Sequence, residues 1–317
     1  MPKNNYKHTP LNQSFYFKAG DGHELNVELC GNPHGIPVVF LHGGPGSCIN
    51  EKCRWFFDPK KYYIVLFDQR GTGKSKPFLS LENNTTFSNA GDMESLRIHL
   101  GIKKWIIFGG SYGSTLGLLY ATLHPQQTIH LVLRGIFLGR KEDVDWLFQE
   151  GAGNFYPEEF NKFRSFIQPD RQNDLVNAYY EIMTGKNEAK KKEACKHWSD
   201  WENGLLRIKN GPLNPEIQLT DLSGALLEAH YFVNKMFWND NNFLINHVNG
   251  LANIPIDIFH GRFDIDCRLK GAYDLKIACP HADLHIVQEG SHYPYDSPMF
   301  DLLVDKMDEL ADRYAKN

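Results

Sequence analysis

Three side chains in this sequence have the types and chain order needed to cleave an acyl bond through a covalent intermediate. Ser111 lies in Gly109-Gly110-Ser111-Tyr112-Gly113, a G-x-S-x-G pattern between an apolar β-rich run and a helix-compatible run. That context predicts a tight strand-to-helix turn that lifts the hydroxyl above a sheet edge, with glycines letting neighbouring backbones approach. A serine hydroxyl is a weak nucleophile until a base takes its proton, so a histidine and an acid should follow it in the chain. Asp264 in "HGRFDIDC" and His292 in "EGSHYP" supply that order, each just beyond a strand-like run. Asp266 is a rival acid in the same loop. A Gly/Ser-rich loop holding phosphate at a helix N-terminus is the competing reading of the Ser111 segment, but it lacks the lysine of a P-loop.

A second glycine-rich stretch, "LHGGPG" from Leu41 to Gly46, leaves another apolar run. Such a loop brings backbone N–H groups against a substrate and can hold the oxyanion of a tetrahedral intermediate. Pro45 has no N–H, so Gly44 and Tyr112, the residue after the serine, are the expected donors. The six cysteines show no paired spacing for zinc or a redox site, and no metal or cofactor is expected. An imidazole base predicts a rate that falls on the acid side near its reference pKa of about 6.5.

These groups need a scaffold that gathers strand ends. Runs at 37–42, 62–68, 105–109, 129–136, 255–261 and 284–290 are near-continuously apolar, as strands of a sheet covered on both faces should be. Helix-compatible segments at 88–100, 112–124, 269–278 and 297–315 alternate with them, which predicts right-handed βαβ crossovers and a mostly parallel, doubly wound sheet. The earlier runs "FYFKA" and "LNVELC" alternate polar with apolar residues and predict an antiparallel edge hairpin. Between about residues 140 and 248 the rhythm changes to amphipathic helices rich in Trp, Phe, Tyr and charge. The expected organisation is therefore a core of residues 1–138 and 249–317 with a helical cap of 139–248 inserted.

Composition narrows the function. The 317 residues are 42% hydrophobic and 23% charged, and 34 Lys plus Arg against 38 Asp plus Glu give a net charge of −4. Without a long basic run, nucleic acid is not an expected partner. The polar start "MPKNNYKHTPLNQSF" has no apolar signal core and no run could span a bilayer, so a cytoplasmic chain with reduced thiols is expected and no membrane partner. The "KKK" at 190–192 reads as a solvated helix face.

Taken together, "HGGPG", "LFDQRGTGKS", "GGSYGSTLGLLYATLHP", "LRGIFLGR", "WSDWE" and "EAHYFVN" resemble the proline iminopeptidases of the α/β-hydrolase superfamily, from about residue 12 to the C-terminus. The resemblance implies a metal-free exopeptidase that releases N-terminal proline from short peptides, with Ser111 as nucleophile, His292 as base and Asp264, rather than Asp266, as its orienting acid. It also implies that Glu202 in "WSDWE" and Glu228 in "LLEAHYF" hold the substrate's free amine. Opposed carboxylates do reward a charged terminal nitrogen through charge-assisted hydrogen bonds, and a neutral acyl group would gain nothing from them. Phe137 in "RGIF" is expected to wall the pyrrolidine ring.

The chain departs from the family at Tyr112, where Trp is common, at Phe148, where a Tyr hydroxyl is usual on the pocket wall, and at Arg268, where Pro follows the cysteine. Cys267 is expected near the site, either reactive or an inert buried thiol. Two further readings stay open: an esterase or amidase of the same fold, and a catalytically inactive binding protein built on it.

Overall fold

The computed structural model describes residues 6–209 and 211–315; the first five residues of the polar start lie outside these. The chain opens with β1 (Leu11–Gly20), β2 (His23–Gly31), β3 (Ile36–Leu41) and β4 (Tyr62–Phe67), followed by α1 (Thr86–His99), β5 (Trp105–Ser111), α2 (Tyr112–Leu123) and β6 (Thr128–Ile136). Six helices come next: α3 (Lys141–Phe148), α4 (Pro157–Ser165), α5 (Leu175–Thr184), α6 (Glu188–Asn203), α7 (Leu219–Val233) and α8 (Phe243–Asn246). The α/β alternation returns with β7 (Ile256–Gly261), α9 (Leu269–Ala278), β8 (Asp283–Val287) and α10 (Met299–Tyr314).

The strands form one eight-stranded sheet in the order β1-β2-β4-β3-β5-β6-β7-β8. β1 and β2 pair antiparallel, as the alternating runs predict, and β2 pairs antiparallel with β4. From β4 to β8 every pairing is parallel. Adjacent apolar residues of a strand explain the double cover, because period-two geometry sends them to opposite faces. Val38, Ile64 and Ile106 enter the cluster with Met299, Leu303 and Met307 of α10, whereas Val39, Val65 and Ile107 enter the cluster with Met93 of α1 and Leu116 of α2. α2 is buried along almost its whole length, as a helix apolar on all sides must be.

β1 begins earlier than "FYFKA" and β8 ends at Val287. The expected strand 284–290 runs past it because Gly290 N–H bonds Val287 O and Phe263 N–H bonds Gly290 O, so the backbone turns toward the loop after β7. The last carboxyl ends of β3, β5, β6, β7 and β8 thus converge on one edge, where parallel sheets gather their sites.

Candidate active site

Ser111 stands where β5 becomes α2, with φ 57° and ψ −131°. A left-handed φ is costly for a residue with a Cβ and persists only where the surroundings fix it. Close packing fixes it here: a Cβ on Gly113 would lie 2.3 Å from Leu41 O of β3, so only glycine lets the elbow seat against the neighbouring strand. The loop after β3 closes from the other side, since a Cβ on Gly43 would sit 3.0 Å from Ser111 Cβ. Gly44 follows with φ 104°, and Tyr112 opens α2 with its side chain buried. Gly44 thus follows the residue packed on Ser111, and Tyr112 is its chain neighbour.

The start of α2 also shapes the wall beyond β6. Ser114 Oγ donates to Ser111 O at 2.7 Å and accepts from Phe137 N–H at 3.2 Å, while Thr115 Oγ1 donates to Phe137 O at 2.6 Å. Phe137, buried, packs its ring 5.8 Å from Phe232 of α7. The "ST" after the elbow thus carries a positioning role that its sequence alone did not announce.

Asp264 and His292 come together across the loops after β7 and β8. His292 Nδ1 lies 2.8 Å from Asp264 Oδ2, and Asp264 Oδ1 accepts from Cys267 N–H at 2.8 Å. Gly135 of β6 makes room for the imidazole, because a Cβ there would stand 3.0 Å from His292 Cε1. Two residues that the motifs passed over hold this unit. Arg134 Nη1 donates to His292 O at 2.6 Å. His260 lies 3.6 Å from Asp264 Oδ2, its Nε2–H donating to Cys267 O at 2.8 Å and its Nδ1 accepting from Ile136 N–H at 3.1 Å. With one ring nitrogen donating and the other accepting, His260 is neutral. Arg134 does stand inside the quoted "LRGIF", but nothing in that motif says which carbonyl it reaches.

Asp266, the rival acid, occupies the other edge of the same imidazole: its Oδ2 is 3.0 Å from His292 Nε2. Among the described residues no hydrogen bond joins the Ser111 hydroxyl to His292. Burial lowers His292 to about 4, below the reference value expected from its sequence, while Asp266 opposes the shift. Burial raises Asp264 to about 6 and Asp266 to about 7. Asp266, Cys267 and His292 bring O, S and N atoms within 4.8 Å of one another, a set able to hold a metal ion. The Cys267 thiol is buried and pushed well up by burial and by the two nearby aspartates, the condition of an inert cysteine.

Glu202 and Glu228 meet between α6 and α7. Trp198 and Glu202 are four residues apart, so they share a face of α6. Ser199 Oγ donates to Asp221 Oδ1 at 2.6 Å, tying α6 to the first turn of α7. Trp198 Nε1–H donates to Glu228 Oε2 at 2.6 Å, and Glu202 hydrogen-bonds Glu228. Burial raises Glu228 to about 8 and Glu202 well above the ordinary range, with Glu228 adding to the latter. Phe148 is fully buried, stacked 4.0 Å over Trp198, so it backs the indole that reaches Glu228. Trp198 was the functional partner that the "WSDWE" motif did not single out, although its spacing from Glu202 was legible.

Contacts bind this helical insertion to the loops of the sheet. Tyr293 N–H bonds Leu206 O at 2.9 Å, Ser223 Oγ donates to Gly46 O at 2.6 Å, and Trp146 Nε1–H donates to Ile265 O at 2.8 Å. Arg268 joins the same seam, 3.0 Å from Asp143 and over the Trp146 ring at 5.2 Å. A cleft of about 480 Å³ opens beside Gly43, Gly110 and Arg134, but Ser111, Glu202 and Glu228 do not line it. No helix among the described residues is long and apolar enough to cross a membrane.

Residues 36–298 match the family model described as the alpha/beta hydrolase fold. The chain is 45% identical to the proline iminopeptidase of Xylella fastidiosa (strain 9a5c) over 294 residues, 92% of this chain and 94% of that protein. It is 40% identical to the proline iminopeptidase of Neisseria gonorrhoeae over 301 residues, 95% of this chain and 96% of that protein. A solved esterase from Exiguobacterium antarcticum superposes with a TM-score of 0.63 at 19% identity, covering 95% of this chain and all of that one (100%), which speaks for the fold alone.

Proposed function

The chain belongs to the proline iminopeptidase family of α/β hydrolases, and from that premise we propose that it removes N-terminal proline from short peptides by serine-dependent hydrolysis. The observation that carries this reading is the Glu202–Glu228 pair, with Glu228 buried and bonded by the Trp198 indole. Two facing carboxyls whose pKa values are both raised are costly to ionise unless a cation meets them. An esterase for neutral acyl groups has no use for that arrangement.

In the proposed cycle His292 takes the Ser111 proton at Nε2 and Oγ attacks the prolyl carbonyl carbon. The oxyanion is held by the N–H groups of Gly44 and Tyr112. His292 then protonates the leaving amine, water attacks the prolyl ester by the reverse sequence, and Asp264 keeps the proton on Nδ1. Phe137 walls the prolyl ring, and Phe148 acts one layer back through Trp198. We assign residues 139–248 as the cap over a core formed by 1–138 and 249–317. The six free cysteines support a reducing, cytoplasmic setting.

The test is turnover of a prolyl chromogenic amide with its nitrogen free against the same amide N-acetylated. A strong preference for the free amine is expected. Equal rates would replace the aminopeptidase by an esterase or amidase of the same fold.

A further inference from the structure

Asp266 has features that neither the triad nor the glutamate pair explains. It is 4% exposed, its Oδ1 has no hydrogen-bond partner, and its Oδ2 holds His292 Nε2 at 3.0 Å. Nε2 is the nitrogen that must accept the proton of Ser111. With Nδ1 donating to Asp264, Nε2 carries no proton of its own, so the 3.0 Å approach of Asp266 is attractive when its carboxyl holds one. The base is therefore engaged before any substrate arrives.

We propose that Asp266 is a third amine-reading carboxylate that latches His292 in the substrate-free enzyme and is drawn off by the incoming ammonium. This rests on the aminopeptidase reading above. In an α-aminoacyl substrate the nitrogen is one carbon from the carbonyl carbon, about 2.5 Å away from ordinary bond lengths. A carbonyl within reach of Ser111 thus brings the ammonium close to a carboxylate that already touches the base. The vacant Oδ1 and the released Oδ2 can both accept from it. Asp266 also shares its field with the cap carboxylates, since Glu202 raises it and it raises Glu228.

The exchange balances. One ammonium enters with charge +1, the proton of the Asp266–His292 contact leaves to solvent, Asp266 becomes a carboxylate, and Nε2 is left as a bare acceptor facing Ser111. The net charge of the dry site does not change, which removes most of the penalty for burying a cation. A substrate without an amine cannot drive this step.

Asp266→Ala and Asp266→Val test the latch in the enzyme, with unfolding temperature measured for both so that either folded variant suffices. Labelling of Ser111 by a fluorophosphonate and hydrolysis of p-nitrophenyl acetate, neither of which carries an amine, should speed up several-fold. The kcat/KM for a free-amine prolyl amide should fall by about thirtyfold or more, the lower end for removing one side of a desolvated charge contact. Opposite signs are the signature, because a residue that merely supports the loop would slow both. Parallel losses, or an unchanged response to the neutral probes, overturn the proposal. If the wild type itself shows no free-amine preference, the aminopeptidase reading falls and this falls with it; if that preference stands and the probes move together, only this inference falls.

Discussion

The sheet edge and the helical insertion place their side chains by different physics. At the sheet edge, backbone decides. Ser111 ends β5, Asp264 and His292 lie in the loops after β7 and β8, and glycines at 113 and 135 give them room. In the insertion, side chains decide: Glu202 lies in the last turn of α6 and Glu228 within α7, and they owe their state to Trp198, to each other and to burial. Bond-making chemistry is therefore tied to topology, while choice of substrate is tied to local packing. One region should tolerate little change, and the other should be tunable without loss of the reaction.

The sharpest division concerns which substrates a variant harms. Ser111→Ala and His292→Ala should each lower kcat by several orders of magnitude on prolyl amides and on a small neutral ester alike, with folding retained and with effects that do not add. Turnover by either variant close to the wild-type rate on both substrates would dissolve the triad assignment. Glu202→Gln and Glu228→Gln, which keep shape and remove charge, should each cost about 2–5 kcal/mol in kcat/KM on free-amine substrates. The neutral ester should be spared; an equal loss there would make the pair a structural element.

A smaller effect separates the two regions by pH. The kcat/KM of the free enzyme on a prolyl amide requires Glu228 and Asp266 as carboxylates, and these are raised to about 8 and about 7. Activity on the amide should decline as pH falls through that range. The ester depends on neutral His292, held down to about 4, and should change only several-fold as Asp266 titrates, so its main acid limb should lie well below that of the amide. Coincident limbs for the two substrates would mean that one group governs both.

The mildest prediction is thermal. Glu228 binds its proton more tightly when folded, at about 8, than when unfolded, near the reference of about 4.3. The folded state thus holds the extra proton between those values, and stability falls as pH rises through them. Glu228→Gln should raise the unfolding temperature by a few degrees at pH 8 and much less at pH 5. A variant that melts lower than the wild type at pH 8 would show that the carboxylate is better matched by its neighbours than its burial implies.

Much of this was legible from residue order. Near-continuous apolar runs gave the parallel sheet because a strand covered on both faces has no solvent side to mark with polar residues. The alternation in β1 and β2 gave the antiparallel edge, and the break in rhythm after Ile136 gave the helical insertion. Chain order alone also ranked Ser111, an acid and His292, since each follows a strand whose end the fold must bring to one edge.

Other features needed three dimensions. Asp264 and Asp266 are two residues apart in one loop, and sequence could not say that they take opposite edges of one imidazole. Trp198 and Arg134 act through single hydrogen bonds whose partners lie 30 and 158 residues away, and His260 joins partners 7 and 124 residues away, distances that no local pattern encodes. The pKa order of the site was equally hidden: His292 moves below the buried acids because desolvation penalises charge of either sign, lowering a base and raising an acid. Sequence thus fixes which groups can do the chemistry, and burial decides which of them holds a proton before the substrate arrives.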